Sequence, residues 1–133
     1  MIEIPFPPQK HDFVVVPGLI CRGKKQHIVE FLIDTAASTT MIDPKIMEQI
    51  GYSKNCPEYI SSAAVSGPAG KEEGYRIKAQ KLLLYSMECV LPDIDIVCIR
   101  PEREVEALLG VNFLKHFHFC IDHKNRRLTL RRH

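Results

Sequence analysis

No stretch of this 133-residue sequence approaches the length of a membrane-spanning helix, which leaves no candidate for one. The start, Met1-Ile2-Glu3-Ile4-Pro5-Phe6-Pro7-Pro8, lacks both a basic lead and a long apolar segment, so no signal peptide is expected. The five cysteines, Cys21, Cys56, Cys89, Cys98 and Cys120, form no Cys-x-x-Cys pair; their number is odd and their spacing irregular. That argues against a disulfide framework or a zinc site and for reduced thiols, hence a cytoplasmic protein. Excess charge is also lacking. A net +2 gives no ground for a nucleic-acid or membrane partner. The crowded Arg126, Arg127, Arg131 and Arg132 read first as a solvated hairpin and tail. No internal repeat, low-complexity tract or second domain is visible. A phosphate loop is excluded too. Gly67-Pro68-Ala69-Gly70-Lys71 has Val65 where the first glycine belongs, and Glu72 where Ser or Thr belongs.

What remains is ordinary for one globular domain with a real core: 45% hydrophobic and 26% charged residues. Pro5, Pro7 and Pro8 make residues 1–12 an extended arm, and the domain spans 13–133. Residues 13–16 and 19–21 read as a strand. Gly23-Lys24-Lys25 turns it, and 26–33 returns as a hairpin. Asp43-Pro44 opens a short helix as N-cap and first residue; Ile46, Met47 and Ile50 give it an apolar side, and Gly51 closes it. Strands are predicted at 59–65, 75–85, 87–91 and 94–99, a short helix at 112–117, and a last hairpin from 119–122 and 127–130. Many short, closely spaced strands with two short helices define a mainly-β, closed or barrel-like fold.

Within that frame, Phe31-Leu32-Ile33-Asp34-Thr35-Ala36-Ala37-Ser38-Thr39-Thr40 stands out. An apolar strand ends abruptly in an acid, followed by small and hydroxylic residues. A carboxylate at the edge of a core needs donors, and Thr35, Ser38, Thr39 and turn amides are at hand. Taken alone, the stretch is better explained by a turn or helix-cap aspartate. Far downstream lies Ala107-Leu108-Leu109-Gly110-Val111-Asn112-Phe113-Leu114, then Phe119-Cys120-Ile121-Asp122 and Arg127-Leu128-Thr129-Leu130.

This ordered pair of motifs resembles the retropepsin-like aspartic proteases, over about residues 13–131. That family places Asp-Thr-Gly-Ala or Asp-Ser-Gly-Ala after an apolar strand, and later two apolar residues plus Gly, a short helix and a closing hairpin. Ala36 departs from the pattern, standing where the family usually has Gly. The resemblance implies a fold with one lobe per chain and a homodimeric endopeptidase acting on extended polypeptide, with Asp34 catalytic and no cofactor. It implies an active-site framework of Thr35, Ala36, Ala37, Leu108, Leu109 and Gly110. Substrate would lie against Ala36, Ser38 and Thr39, under a flap spanning 62–74 with Ser66, Gly67 and Pro68 at its tip. The alternative is a weakly active or inactive peptide- or protein-binding module on the same fold. If position 36 needs a positive φ, Ala costs about 1–2 kcal/mol there.

Of the six aspartates, only Asp34 is followed by Thr and small residues. Asp43 reads as a cap, Asp93 and Asp95 as one solvated strand face, and Asp122 as a turn residue. One chain therefore offers one catalytic acid. His116, His118 and His123 read as a solvated face, with Phe117, Phe119 and Ile121 inward. Cys89 and Cys98 have no nearby base and read as core. No metal ligand set is implied.

Overall fold

A computed structural model of the chain describes residues 1–8, 13–68, 70–102 and 104–133. Its strands are β1 (Ile2–Pro5), β2 (Val15–Arg22), β3 (Lys25–Ile33), β4 (Thr40–Ile42), β5 (Tyr59–Gly67), β6 (Gly70–Leu84), β7 (Val90–Cys98), β8 (Ala107–Leu109), β9 (Phe117–Asp122) and β10 (Arg127–Arg132). The helices are α1 (Pro44–Gln49) and α2 (Val111–Leu114).

Six strands close on themselves in the order β2-β3-β8-β4-β7-β6, because β6 also pairs back onto β2. This is the expected barrel. Two of its pairings are parallel, β3 with β8 and β4 with β7; the others are antiparallel. Closure removes the open edges that a sheet of this size would otherwise expose. The alternating pattern of β2 and β6 sends Val16, Ile20, Ile77, Ala79 and Leu82 inward, where each is fully buried. β5 stands outside the closed circuit and pairs only with β6.

A second, three-stranded sheet has the order β1-β10-β9. The proline-rich start is thus extended and paired: Ile2–Pro5 lies against β10, with Ile4 opposite Leu128. Ile4, Phe117, Leu128 and Leu130 join the same hydrophobic core as the barrel. Residues 9–12, the rest of the expected arm, lie outside the described residues.

Several local expectations hold in detail. Asp43 caps α1, its Oδ1 accepting from the Lys45 N–H at 2.9 Å, and Gly51 follows with φ +96°. Other expectations shift. Met87–Cys89 is a single 3₁₀ turn, and Val90–Cys98 is one continuous strand where two were predicted. Pairing of β7 along β6 overrides the break suggested by Pro92-Asp93; Asp93 absorbs it with φ +50°. Helix α2 stops at Leu114, because Phe117 is taken into β9 opposite Arg132. Phe119 is not inward but 38% exposed, at the free edge of the terminal sheet. Asp95 is no solvated acid. Arg76 Nη2 lies 2.9 Å from its Oδ2 and Lys78 Nζ 3.8 Å from its Oδ1.

Outside the motifs, a polar girdle joins β2, β6 and the loop after α1. The buried Tyr52 hydroxyl donates to the Cys21 carbonyl (2.6 Å) and accepts from Gln80 N–H (2.8 Å). The Arg22 guanidinium lies over the Tyr52 ring and grips Glu58 through Nε (2.9 Å) and Nη2 (3.3 Å). Gln80 Nε2 donates to the same carboxylate. Arg22 hydrogen bonding holds the Glu58 carboxyl below its ordinary pKa, and burial pushes the Tyr52 hydroxyl up to about 12.

Candidate active site

The parallel pairing of β3 with β8 sets the site. Its register matches Leu32 with Leu108 and Ile33 with Leu109, so Asp34 and Gly110 leave the sheet side by side. The Asp34 N–H donates to the Leu109 carbonyl at 3.0 Å. Asp34 then begins a tight turn. Its carbonyl accepts from Ala37 N–H (3.2 Å), and its Oδ1 accepts from Ala36 N–H (3.0 Å). One carboxylate oxygen is thereby oriented by the turn itself, while Oδ2 has no hydrogen bond among the described residues. Asp34 is half-buried; Thr35, Ala36 and Ser38 are exposed, Ala37 and Thr39 partly so.

The rest of the loop is tied to the chain after β8. Val111 N–H donates to the Ala37 carbonyl (2.8 Å), and Asn112 N–H to the Ser38 carbonyl (3.2 Å). Gly110 sits in the crossing. A Cβ there would lie 2.7 Å from the Thr39 carbonyl carbon and 2.9 Å from the Ala37 oxygen. Its φ of −94° is open to any residue, so the glycine serves close approach and not backbone handedness.

Beneath the loop lies a network that the sequence did not reveal. Among the described residues, Thr40 is the one fully buried side chain that is polar and not aromatic. Its Oγ1 accepts from Gly110 N–H (3.1 Å) and donates to Asn112 Oδ1 (2.8 Å). Asn112 Oδ1 also accepts from Thr40 N–H (2.8 Å), while Nδ2 donates to the Asp95 carbonyl (2.8 Å). Buried polar groups have to be satisfied, and here every one is, which fixes the loop as a unit. The signals were present: a hydroxyl one residue ahead of the apolar Met41-Ile42, and an amide two residues after Gly110. Their separation of 72 residues hid the link.

Ala36 carries no strain. The described non-glycine residues with positive φ are Tyr85, Asp93, Glu104 and Arg126. A residue other than Gly is therefore compatible with the turn, and the methyl group points to the exposed side of the loop.

The predicted tip residues lie elsewhere. Ser66 pairs with Lys71 and Gly67 with Gly70 across the end of the β5–β6 hairpin, with Pro68 in the turn; Ala69 lies outside the described residues. Above Tyr75 the hairpin pairs only with itself, since β7 ends at Cys98 opposite Tyr75. No described hydrogen bond joins this tip to the Asp34 loop. Gly74 marks a tight crossing: a Cβ there would lie 2.2 Å from the Cys98 oxygen. Just below, the Tyr75 hydroxyl is buried without a hydrogen-bond partner. The histidines are not brought into one cluster. His123 packs edge-on to Phe6, and His118 lies beside His133. None of the described cavities is lined by the Asp34 loop. In a single chain that loop lies open.

A closed six-stranded barrel with one Asp-Thr turn braced against an apolar-apolar-Gly crossing is the architecture of a retropepsin-like aspartic protease lobe. Residues 23–116 match the model of the gag-polyprotein putative aspartyl protease family, and the chain belongs to that family. It is similar in structure to a retropepsin-like aspartic protease from Rickettsia conorii, with a TM-score of 0.70 at 15% identity over 97% of this chain and 99% of that one. It is also similar to the retroviral protease-like domain of Ddi1 from Leishmania major, with a TM-score of 0.64 at 22% identity over 91% and 90% of the two chains. No curated protein matches the sequence at a significant level. Among the described residues no helix is long and apolar enough to cross a membrane.

Proposed function

We propose that the chain is a homodimeric aspartic endopeptidase in which each subunit supplies one Asp34 to a shared site. The observation that carries this reading is the rigidly braced, half-buried Asp34 in a loop that exposes Thr35, Ala36 and Ser38. A two-fold, self-complementary contact at that loop would bring two carboxylates about one water. Two acids so close cannot both ionise, so the pair holds a single proton and titrates jointly. The charged member takes the proton of the attacking water, and the protonated member hydrogen-bonds the scissile carbonyl.

The remaining roles follow the same arrangement. The exposed Thr35 hydroxyl makes no hydrogen bond among the described residues and is placed to bond across the two-fold axis. The loop backbone at Ala36, with Ser38 and Thr39, holds the substrate main chain. Leu108, Leu109 and Gly110 form the floor that keeps Asp34 in place. The hairpin portion beyond Tyr75 acts as the flap, with Ser66, Gly67 and Pro68 closing on an extended peptide. A two-stranded ribbon held by no third strand has the low local stability such a motion requires. The substrate is polypeptide, with no nucleic acid or membrane partner. Five free cysteines favour a reducing, cytoplasmic setting.

The test is turnover of a diverse peptide library by wild type and Asp34→Asn. Cleavage with a bell-shaped, acid-side pH profile, lost in Asp34→Asn while the melting curve stays cooperative, is the expected result. Equal turnover by both proteins would remove Asp34 from the chemistry. No turnover by either would favour the binding module.

A further inference from the structure

The charge of this chain is unevenly placed. Residues 115–133 hold six of its 18 Lys and Arg, four of its six His and one of its 16 Asp and Glu. The rest of the chain is net −3 against a total of +2. The structure lays two of these arginines, Arg127 and Arg131, on one sheet face. Leu128 and Leu130 are buried, so Arg127, Thr129 and Arg131 alternate to the outside of β10. The register then places His118 beside Arg131, Cys120 beside Thr129 and Asp122 beside Arg127. A hollow of about 190 Å³ opens on this face, lined among others by His118, Cys120, Thr129 and Arg131.

These cations have no ion pair among the described residues. The ion pairs among the described residues involve Arg22, Lys71, Arg76 and Lys78, and none involves Lys124, Arg126, Arg127 or Arg131. Two carboxylates are nearby: Glu3 lies opposite Thr129, and Asp122 is spent on its own turn, accepting from Asn125 N–H (3.1 Å) and Nδ2 (2.9 Å). Arg132 is different: it points to the other side, donates to the Glu88 and Val90 carbonyls and lies over the Phe117 ring.

We infer that the outward face of the β1-β10-β9 sheet docks an extended, acidic polypeptide segment, with carboxylates four residues apart meeting Arg127 and Arg131. Four residues of strand span about 13 Å, and an extended partner repeats side chains at the same spacing. The Arg131 guanidinium, with His118 beside it at the hollow, suits a planar carboxylate. The face offers a nucleic acid little. Glu3, opposite Thr129 and between the two arginines, interrupts the continuous anionic track of a nucleic acid, whereas a peptide needs carboxylates only at the two ends. Met1 and Phe119 also line the hollow and are exposed there. This inference does not depend on hydrolysis at Asp34.

The test is fluorescence anisotropy with a labelled ten-residue peptide of alternating Glu and Ser, at low and at physiological salt. Binding that weakens with salt, falls at least tenfold in Arg127→Glu/Arg131→Glu and stays within twofold in Lys24→Glu/Lys25→Glu is expected. The milder Arg127→Gln/Arg131→Gln serves if the reversal lowers the melting temperature. Four results would overturn the inference. These are no binding at low salt, equal losses in the two charge reversals, tighter binding of a ten-nucleotide oligothymidine or of anionic phospholipid vesicles, and self-association through this face abolished by Arg127→Glu/Arg131→Glu.

Discussion

The Asp34 loop and the β5–β6 hairpin differ in how many partners fix them. The loop is bonded to Leu109 and Val111, crossed at van der Waals limits by Gly110, and floored by the Thr40–Asn112 network. The hairpin beyond Tyr75 has one partner strand per strand, and an unsatisfied hydroxyl lies at its root. The difference is what an enzyme with fixed chemistry and a moving cover requires. Positional precision sits where polar groups are fully satisfied, and freedom sits where they are not.

The comparison is broken most severely at its rigid end. Gly110→Ala places a methyl against backbone atoms of Thr39 and Ala37, which cannot swing away as a side chain can. We expect a loss of about 3 kcal/mol in chemical denaturation, with turnover falling further because the Asp34 loop is displaced. An unchanged denaturation midpoint would mean that the crossing is looser than its distances imply.

The two buried tyrosines sharpen it next. Tyr52 and Tyr75 are both buried, but only the Tyr52 hydroxyl has partners. Tyr52→Phe strands the Gln80 N–H and should cost about 1–2 kcal/mol. Tyr75→Phe removes an unpaired polar group and should be neutral or stabilising by up to about 1 kcal/mol. Thermal melts of the two variants side by side decide it; equal losses would show that the Tyr75 hydroxyl is satisfied after all.

The smallest effect is electrostatic. The pKa of Glu58 is lowered in the folded chain, chiefly by its hydrogen bond from Arg22. A depressed carboxyl binds protons less readily folded than unfolded, so its contribution is complete above the unfolded pKa, about 4.3. It is lost as pH falls through the lower folded value. Glu58→Gln should therefore destabilise the chain near neutrality and flatten the acid side of its stability profile. A profile parallel to wild type at every pH would assign the loss to packing alone.

What could be read from the sequence was what neighbours decide. The apolar run into Asp34, the Asp43-Pro44 cap and the close approach at Gly110 are each written within a few residues. The Thr40–Asn112 and Tyr52–Cys21–Gln80 links were not, because each joins segments that meet only once the barrel closes. The close approach at Gly74 was hidden for the same reason. A glycine in a strand signals either slack or close approach, and only the position of Cys98 tells which. The unbroken β7 and the exposed Phe119 were set by pairing partners that no local pattern names.

The central claim, that two copies of Asp34 form one site, is tested most directly by mixing subunits. Wild type and Asp34→Asn chains are exchanged at fixed total concentration, and peptide turnover is followed against the wild-type fraction. If every working site needs two intact subunits, turnover follows the square of that fraction and falls to about one quarter at an equal mixture. Turnover that falls only to about one half, in proportion to the wild-type chains present, would contradict the shared site.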